Sequence, residues 1–332
     1  VSPRTLLLVL IGVVLIPWNA ARACTISSPT TIDLGSKSSF DAAVADITAG
    51  SGSSGLTCGG ILGLLTSQFI YLSLDSKSAG LVNSGTGDSI PFEVTTVPGG
   101  APVPVGTTSG NLAGASLLSL GGSGGEVQLF VDLGAAGNIA SGTYTGTITL
   151  RWHFATCSAI SAIGICIGGW TVSPGISQSC LLGLCTLNQS SVPSSPGSPV
   201  QINVTLTVTR DCRFDADHID FGAAPFADSF EPVTGSLRVT CTKGTTYSVG
   251  LSNGNYFNGV RRRMASGANR LEYEVFRSGG QPWDAVSNRA QQLVPAAGNT
   301  PETFTYEARI YPYQPTPPPG LYQDVLVIDA VF

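Results

Sequence analysis

The sequence predicts an all-β protein: two β-sandwiches in tandem, the second one strand short. Three observations lead there. Short runs of alternating apolar and polar residues recur between Gly and Pro punctuation, with 41 Gly and 21 Pro in 332 residues, the pattern of strands joined by turns. A set of motifs occurs twice in the same order, which marks an internal repeat. One copy ends in a long alternating strand for which the other has no counterpart.

Taken in order, residues 1–23 read as a secretory signal. Arg4 is the positive n-region, Leu6 to Ile16 the apolar core, and Ala21-Arg22-Ala23 an A-x-A cleavage site. The apolar run is too short to span a bilayer. All eight cysteines follow it: Cys24, Cys58, Cys157, Cys166, Cys180, Cys185, Cys212 and Cys241. An even count in an exported chain is expected to form disulfides. About 310 residues then remain, enough for two domains, expected at 24–209 and 210–332.

Charge is unevenly spread. From Cys24 to Thr209 there are three basic and eight acidic residues, against 11 and 13 from Arg210 onward. No basic stripe interleaves with aromatics, so a nucleic-acid partner is not expected.

The repeat starts at the first cysteine of each half. "CTISSPTTIDLGS" reaches a second cysteine 34 residues on, and "CRFDADHIDFGAA" reaches one after 29. Each segment carries an Ile-Asp-apolar-Gly element: Ile32-Asp33-Leu34-Gly35 and Ile219-Asp220-Phe221-Gly222. Each half later shows a Gly-x-Tyr turn feeding a strand, at Ser141 to Trp152 and at Pro319 to Phe332.

The copies differ at their ends. The first continues into "PVQINVTLTVTRD", where Val200, Ile202, Val204, Leu206 and Val208 alternate with polar residues over ten positions. This is a half-buried strand by its period of two. Read as the last strand of the first copy, it leaves the second copy without an equivalent, and a sandwich lacking a strand exposes an apolar groove and unpaired edges. Read instead as the opening strand of the second copy, it would remove that asymmetry.

The second half resembles the spore coat protein U domain of archaic (Csu-type) chaperone–usher pilus subunits. The resemblance rests on Cys212, Phe221-Gly222, Val239-Thr240-Cys241, Lys243-Gly244, Tyr247, Arg262-Arg263-Met264, Leu271-Glu272-Tyr273, Trp283, Arg309 to Gln314 and Gly320 to Asp324. It is looser over residues 24–152. Tandem arrangement, signal and length look like the two-domain tip adhesin of such pili. The family implies incomplete immunoglobulin-like sandwiches completed by a strand from a periplasmic chaperone, and at the outer-membrane usher by the next pilus subunit. Cleavage after Ala23 would leave no strand to donate, so a subunit that only accepts is expected, exported to the cell surface at the pilus tip. Tyr322, Val325, Leu326, Val327, Ile328, Val331 and Phe332, expected in one last strand, would border the groove and dock the chaperone or donor. Both alternation phases there are apolar, so the sequence leaves open which one lines the groove.

Three apolar stretches of the first half are too hydrophobic for ordinary loops: Cys58 to Gln68, Cys157 to Trp170 and Cys180 to Cys185. Local pairs Cys157–Cys166 and Cys180–Cys185, or the nested alternative, would staple the last two. Tip adhesins of the family present hydrophobic finger loops that bind abiotic or host apolar surfaces. The corresponding candidates are Ile61, Leu62, Leu64, Leu65, Ile160, Ile163, Ile165, Leu181, Leu182 and Leu184.

Catalysis is not expected. Only His153 and His218 exist, and no H-E-x-x-H or P-loop is present. The cysteine spacings lack zinc knuckles, and Asp215 and Asp217 lack a twelve-residue calcium loop, so neither metal nor cofactor is expected. Arg261-Arg262-Arg263 reads as a solvated or ion-paired turn. Two non-enzyme alternatives are a carbohydrate-binding tip, with Trp152 and Trp170 as its aromatics, and a structural coat or matrix protein.

Overall fold

Alternation of apolar and polar residues becomes strands throughout a computed structural model, which describes residues 24–58, 68–112, 125–157, 161–162 and 164–332. The signal-like segment 1–23 lies outside the described residues. The chain is all-β, as the composition predicts.

The first half supplies β1 (Cys24–Ser27), β2 (Thr31–Ser38), β3 (Asp46–Cys58), β4 (Gln68–Lys77), β5 (Gly80–Val82), β6 (Ser89–Thr95), β7 (Gly125–Leu133) and β8 (Gly142–Cys157). A single helical turn, α1 (Ser39–Ala42), is capped by Ser38, whose hydroxyl accepts from the Asp41 N–H at 3.2 Å. Short strands follow: β9 (Ser161–Ala162), β10 (Ile165–Ile167), β11 (Trp170–Val172), β12 (Gln178–Leu181) and β13 (Leu184–Leu187). The last is the alternating strand, β14 (Ser198–Thr209).

Among the described residues ten of these strands form one sheet in the order β1-β3-β7-β6-β5-β8-β14-β2, with β4 and β11 also paired to β8, and the other four form a small sheet, β12-β13-β10-β9. The larger sheet folds over a core that includes Ile32, Leu56, Phe92, Val131, Tyr144 and Trp152. β14 lies antiparallel to β8 and parallel to β2. Its inward residues Ile202, Val204, Leu206 and Val208 are fully buried while Gln201, Asn203 and Thr207 face solvent. Of the two readings left open by the sequence, β14 pairs within the first sandwich.

The second half contains β15 (Cys212–Ala216), β16 (Val233–Cys241), β17 (Tyr247–Leu251), β18 (Arg262–Ser266), β19 (Asn269–Arg277), β20 (Ala290–Gln292), β21 (Glu302–Ile310) and β22 (Ile328–Val331). They make two sheets, β15-β16-β21-β19-β18 and β20-β17-β22, around a core with Val239, Val249, Val275 and Trp283. The long last strand expected from Tyr322 to Phe332 is regular only over Ile328–Val331. Before it the chain bridges the other sheet once, at Ala265–Gln323. This segment crosses from one sheet to the other, so it cannot hold a single ladder.

Arg262 is not in a solvated turn. It lies in β18, 1 % exposed, paired with buried Glu274 and donating to the carbonyls of Leu251, Ser252 and Trp283. The guanidinium ties the two sheets of this half together with all three of its nitrogens engaged, the condition under which a buried charge is tolerated.

Arg210 and Asp211 alone separate β14 from β15. Across the junction Lys243 Nζ meets Asp88 Oδ1 at 2.6 Å, the hydroxyls of Ser39 and Thr242 bond at 2.7 Å, and Asn138 Nδ2 donates to the Ala297 carbonyl at 2.7 Å. The Arg213 guanidinium sits 4.3 Å from the Phe40 ring centre.

Candidate functional site

Among the described residues two apolar features stand on the surface, one in each half. The first is a hairpin. Cys180 pairs with Cys185 and Leu181 with Leu184 across β12 and β13, leaving Leu182-Gly183 as a two-residue turn. Both turn residues have positive φ, +52° and +80°, the geometry that lets a tight turn follow the twist of its strands. Gly adopts it freely, but Leu does not. Leu182 is nevertheless 95 % exposed, with Leu181 at 76 % and Leu184 at 48 %.

The hairpin is held from below. Disulfides join Cys180 to Cys185 and Cys157 to Cys166, the local pairing. Cys166 on β10 sits opposite Cys185, so the two bridges follow one another from β8 to the outermost strand. Trp170 is buried beneath, its indole N–H donating to the Cys185 carbonyl at 3.0 Å and its ring packed 5.9 Å from Phe69. Gln178 clasps the Trp170 backbone from both sides, accepting from its N–H and donating to its carbonyl. At the tip, the Gly168 N–H donates to the Gly183 carbonyl at 2.7 Å.

The position follows from β8. Its first residues lie beside the junction with the second half, where Ala140 bridges Lys243. Its last, Cys157, is in the hairpin's disulfide chain. Its 16 residues at ~3.3 Å each span about 50 Å, so the hairpin occupies the pole far from the second sandwich.

Of the predicted surface residues, Leu181, Leu182 and Leu184 come together at this tip, while Ile165 is half-buried in β10. Ile61, Leu62, Leu64, Leu65, Ile160 and Ile163 lie outside the described residues. The sequence reading missed Ile167, exposed and paired opposite Leu184. Its signal was present: Ile165 and Ile167 flank Cys166, and the cysteine's burial turns both outward.

The second feature is a groove of about 480 Å³ in the second sandwich. Its floor includes Leu237, Leu251, Met264, Val275 and Trp283. One wall is the stretch after β15, Ala216 to Gly222; the other is the stretch before β22. β15 and β22 are each the edge of their sheet. Among the described residues, His218 to Phe221 make no backbone–backbone hydrogen bond. Tyr322, Leu326 and Ile328 line the groove, whereas Val325, Val327 and Val331 of the other phase face solvent, as does Phe332. Tyr273 donates to Asp324 Oδ2 at 2.7 Å, and the Asn255 N–H donates to Oδ1 at 2.8 Å. Burial, with that carboxylate beside it, pushes the Tyr273 phenol far above its ordinary range, so it remains a donor.

The repeat predicted from sequence is visible at atomic detail. Asp33 Oδ1 accepts from the Gly35 N–H at 3.0 Å, and Asp220 Oδ1 from the Gly222 N–H at 2.8 Å. The two glycines have φ of +75° and +70°. In the first copy this element belongs to β2, with Ile32 opposite Val204 of β14. In the second copy it lines the open groove.

The titratable candidates are occupied structurally. His153 is buried between the hydroxyls of Ser73 and Ser195, each at 3.2 Å, and burial lowers its pKa. Asp215 and Asp217 both pair with Arg238, and Asp217 also accepts from Ser236. Trp152 and Trp170 are buried, so neither offers the exposed face that stacking on a sugar requires.

The fold and these surfaces define a tandem β-sandwich protein with an apolar hairpin at one pole and an apolar groove between two free edges in the other sandwich. Residues 199–329 match the Spore Coat Protein U domain family. A chain of the crystal structure of the CsuC–CsuE chaperone–tip adhesion subunit pre-assembly complex, from archaic chaperone-usher Csu pili of Acinetobacter baumannii, shares the fold. Its TM-score is 0.61 at 21% identity, covering 93% of this chain and 100% of that one. The CupB6 tip adhesin of Pseudomonas aeruginosa is similar at a TM-score of 0.32 and 10% identity, over 93% of this chain and 94% of that one, too distant to carry an argument. No curated protein matches the chain.

Proposed function

We propose that this protein is a pilus tip adhesin of an archaic chaperone–usher system, not an enzyme. Residues 24–209 form the outer, surface-binding domain, and residues 210–332 the domain that joins it to the fibre by accepting a strand. The observation that carries the reading is the coexistence in one chain of a clamped, solvent-facing apolar hairpin and an apolar groove between unpaired strand edges. An exposed, strained Leu has no folding rationale, whereas contact with an apolar surface would bury it. Each such side chain contributes roughly 1.5–3 kcal/mol on burial, and many fibres per cell multiply that by avidity. The poverty of charge in the outer half suits the same contact, since few groups need desolvation.

The groove supports the second half of the reading. In the first sandwich the equivalent place is taken by β14, between β8 and β2. A periplasmic chaperone, and later the next subunit at the outer-membrane usher, would supply in trans what β14 supplies in cis. The similarity to the CsuC–CsuE structure supports the same partners, with export through the periplasm to the cell surface.

The test is adhesion of fibre-bearing cells to an alkylated surface. Changing Leu181, Leu182 and Leu184 together to Ser is expected to abolish retention while fibres still assemble. Unchanged retention would refute the hairpin as the binding element.

A further inference from the structure

The groove is apolar within, but its rim carries charge of one sign. Asp217, Asp220 and Asp324 line it, with His218, and among the described residues no Lys or Arg does. Asp217 is partly offset by Arg238. Asp220 and Asp324 accept only uncharged donors: Gly222 N–H for the first, Tyr273 O–H and Asn255 N–H for the second. Asp220 stands exposed on one wall, while Asp324 on the other shares the inward phase of Tyr322 and Leu326 and is held by Tyr273, so a seated strand would pass the Asp220 carboxylate on its outward side.

The first sandwich shows what such a strand looks like when present. β14 buries Ile202, Val204, Leu206 and Val208, and turns Gln201, Asn203, Thr205, Thr207 and Thr209 outward. None of the outward residues is an acid. Thr205 sits opposite Asp33, its hydroxyl donating to Asp33 Oδ1 at 3.3 Å, and Asp33 is the repeat equivalent of Asp220. The outward side of the incoming strand therefore answers a carboxylate with a hydrogen-bond donor.

We propose that the groove selects its donor strand by outward-facing chemistry as well as by apolar fit. The occupant is a strand of alternating apolar residues whose outward positions carry hydroxyl, amide or cationic side chains and no carboxylate. This rests on the strand-accepting reading above. Like charges set side by side across an interface disfavour a wrong partner, and opposite charges favour the right one.

The test uses three fluorescent peptides titrated into the full chain: residues 199–209 as they stand, the same peptide with Thr205 and Thr207 changed to Lys, and the same with both changed to Glu. The first two are expected to bind, and the Glu peptide to bind at least about tenfold more weakly at low salt. That gap should narrow in high salt and in the Asp220→Asn chain, where the amide keeps an acceptor for Gly222. Equal affinity of the Lys and Glu peptides would overturn the selection while leaving strand acceptance standing. Failure of all three to bind would overturn strand acceptance itself, and the selection with it.

Discussion

Replacing Leu182 by Gly separates folding from adhesion. Leu182 has φ of +52° and is 95 % exposed. A left-handed conformation costs a non-Gly residue roughly 1–2 kcal/mol, and Gly removes that strain. Gly also adds unfolded-state freedom worth about 0.5–1 kcal/mol against folding. The side chain buries almost nothing, so no transfer energy is lost. The net change in stability is therefore near zero, within about 1 kcal/mol and tending to stabilise. The change in surface binding is of another size: removing one fully engaged Leu forfeits roughly 1.5–3 kcal/mol, or about 10- to 150-fold in affinity per molecule. Thermal unfolding of the purified chain and single-molecule retention on an alkylated surface read the two quantities separately. Val286→Gly, at an exposed apolar site in the second half, is the control and should leave retention unchanged. A Leu182→Gly chain that melts several degrees lower, or that is retained like the parent, would refute the reasoning.

Two further perturbations test what holds the molecule together. Arg262→Met leaves the Glu274 carboxylate buried without its counter-ion and is expected to cost about 3–5 kcal/mol, read as a lower urea midpoint for the second sandwich; adding Glu274→Leu should recover only part of it, because the carbonyls of Leu251, Ser252 and Trp283 still lack their donor. Burial alone would raise the Asp88 carboxyl, but bonds from Lys243, the Ala140 N–H and Thr86 outweigh it and hold the pKa below the ordinary value. A depressed folded pKa means that this contribution is present above the unfolded value near 3.8 and is lost as pH falls through the folded one. Melting temperature should thus fall below about pH 4 with a component that Asp88→Asn removes; an unchanged acid profile in that variant would count against the Lys243–Asp88 clasp.

Much of this was legible in the sequence, for identifiable reasons. The ten-residue alternation of β14 announces a half-buried strand because period two is a property of the backbone itself. Its partner was not legible, since either sandwich could use the same apolar face, and only its pairing to β8 and β2 decides. The cysteine bracket around Leu181, Leu182 and Leu184 marked the hairpin because a short disulfide loop leaves those side chains nowhere to pack. Ile167 escaped because its exposure depends on which way the neighbouring Cys166 points. Arg262 escaped for the opposite reason: three consecutive arginines read as surface, and only the assembled carbonyls of Leu251, Ser252 and Trp283 make a buried site for one of them.

The repeated Ile-Asp-apolar-Gly element shows how little of a strand is local. Ile32 to Gly35 and Ile219 to Gly222 share their composition, their Asp-to-Gly hydrogen bond and the positive φ of their glycine. One lies within β2 and the other has no strand at all. Propensity cannot separate them, so the difference is the neighbour: β14 pairs with the first, and among the described residues no strand pairs with the second. Pairing in a sheet is cooperative with its partner, and amides without an acceptor exchange with solvent. Amide hydrogen exchange should therefore be fast across His218 to Phe221 in the chain alone and slow once a donor strand is bound, while Thr31 to Ser38 stays protected in both states. If His218 to Phe221 were already protected without a donor, the groove would be closed by the chain itself, and the second sandwich would have no need of a partner.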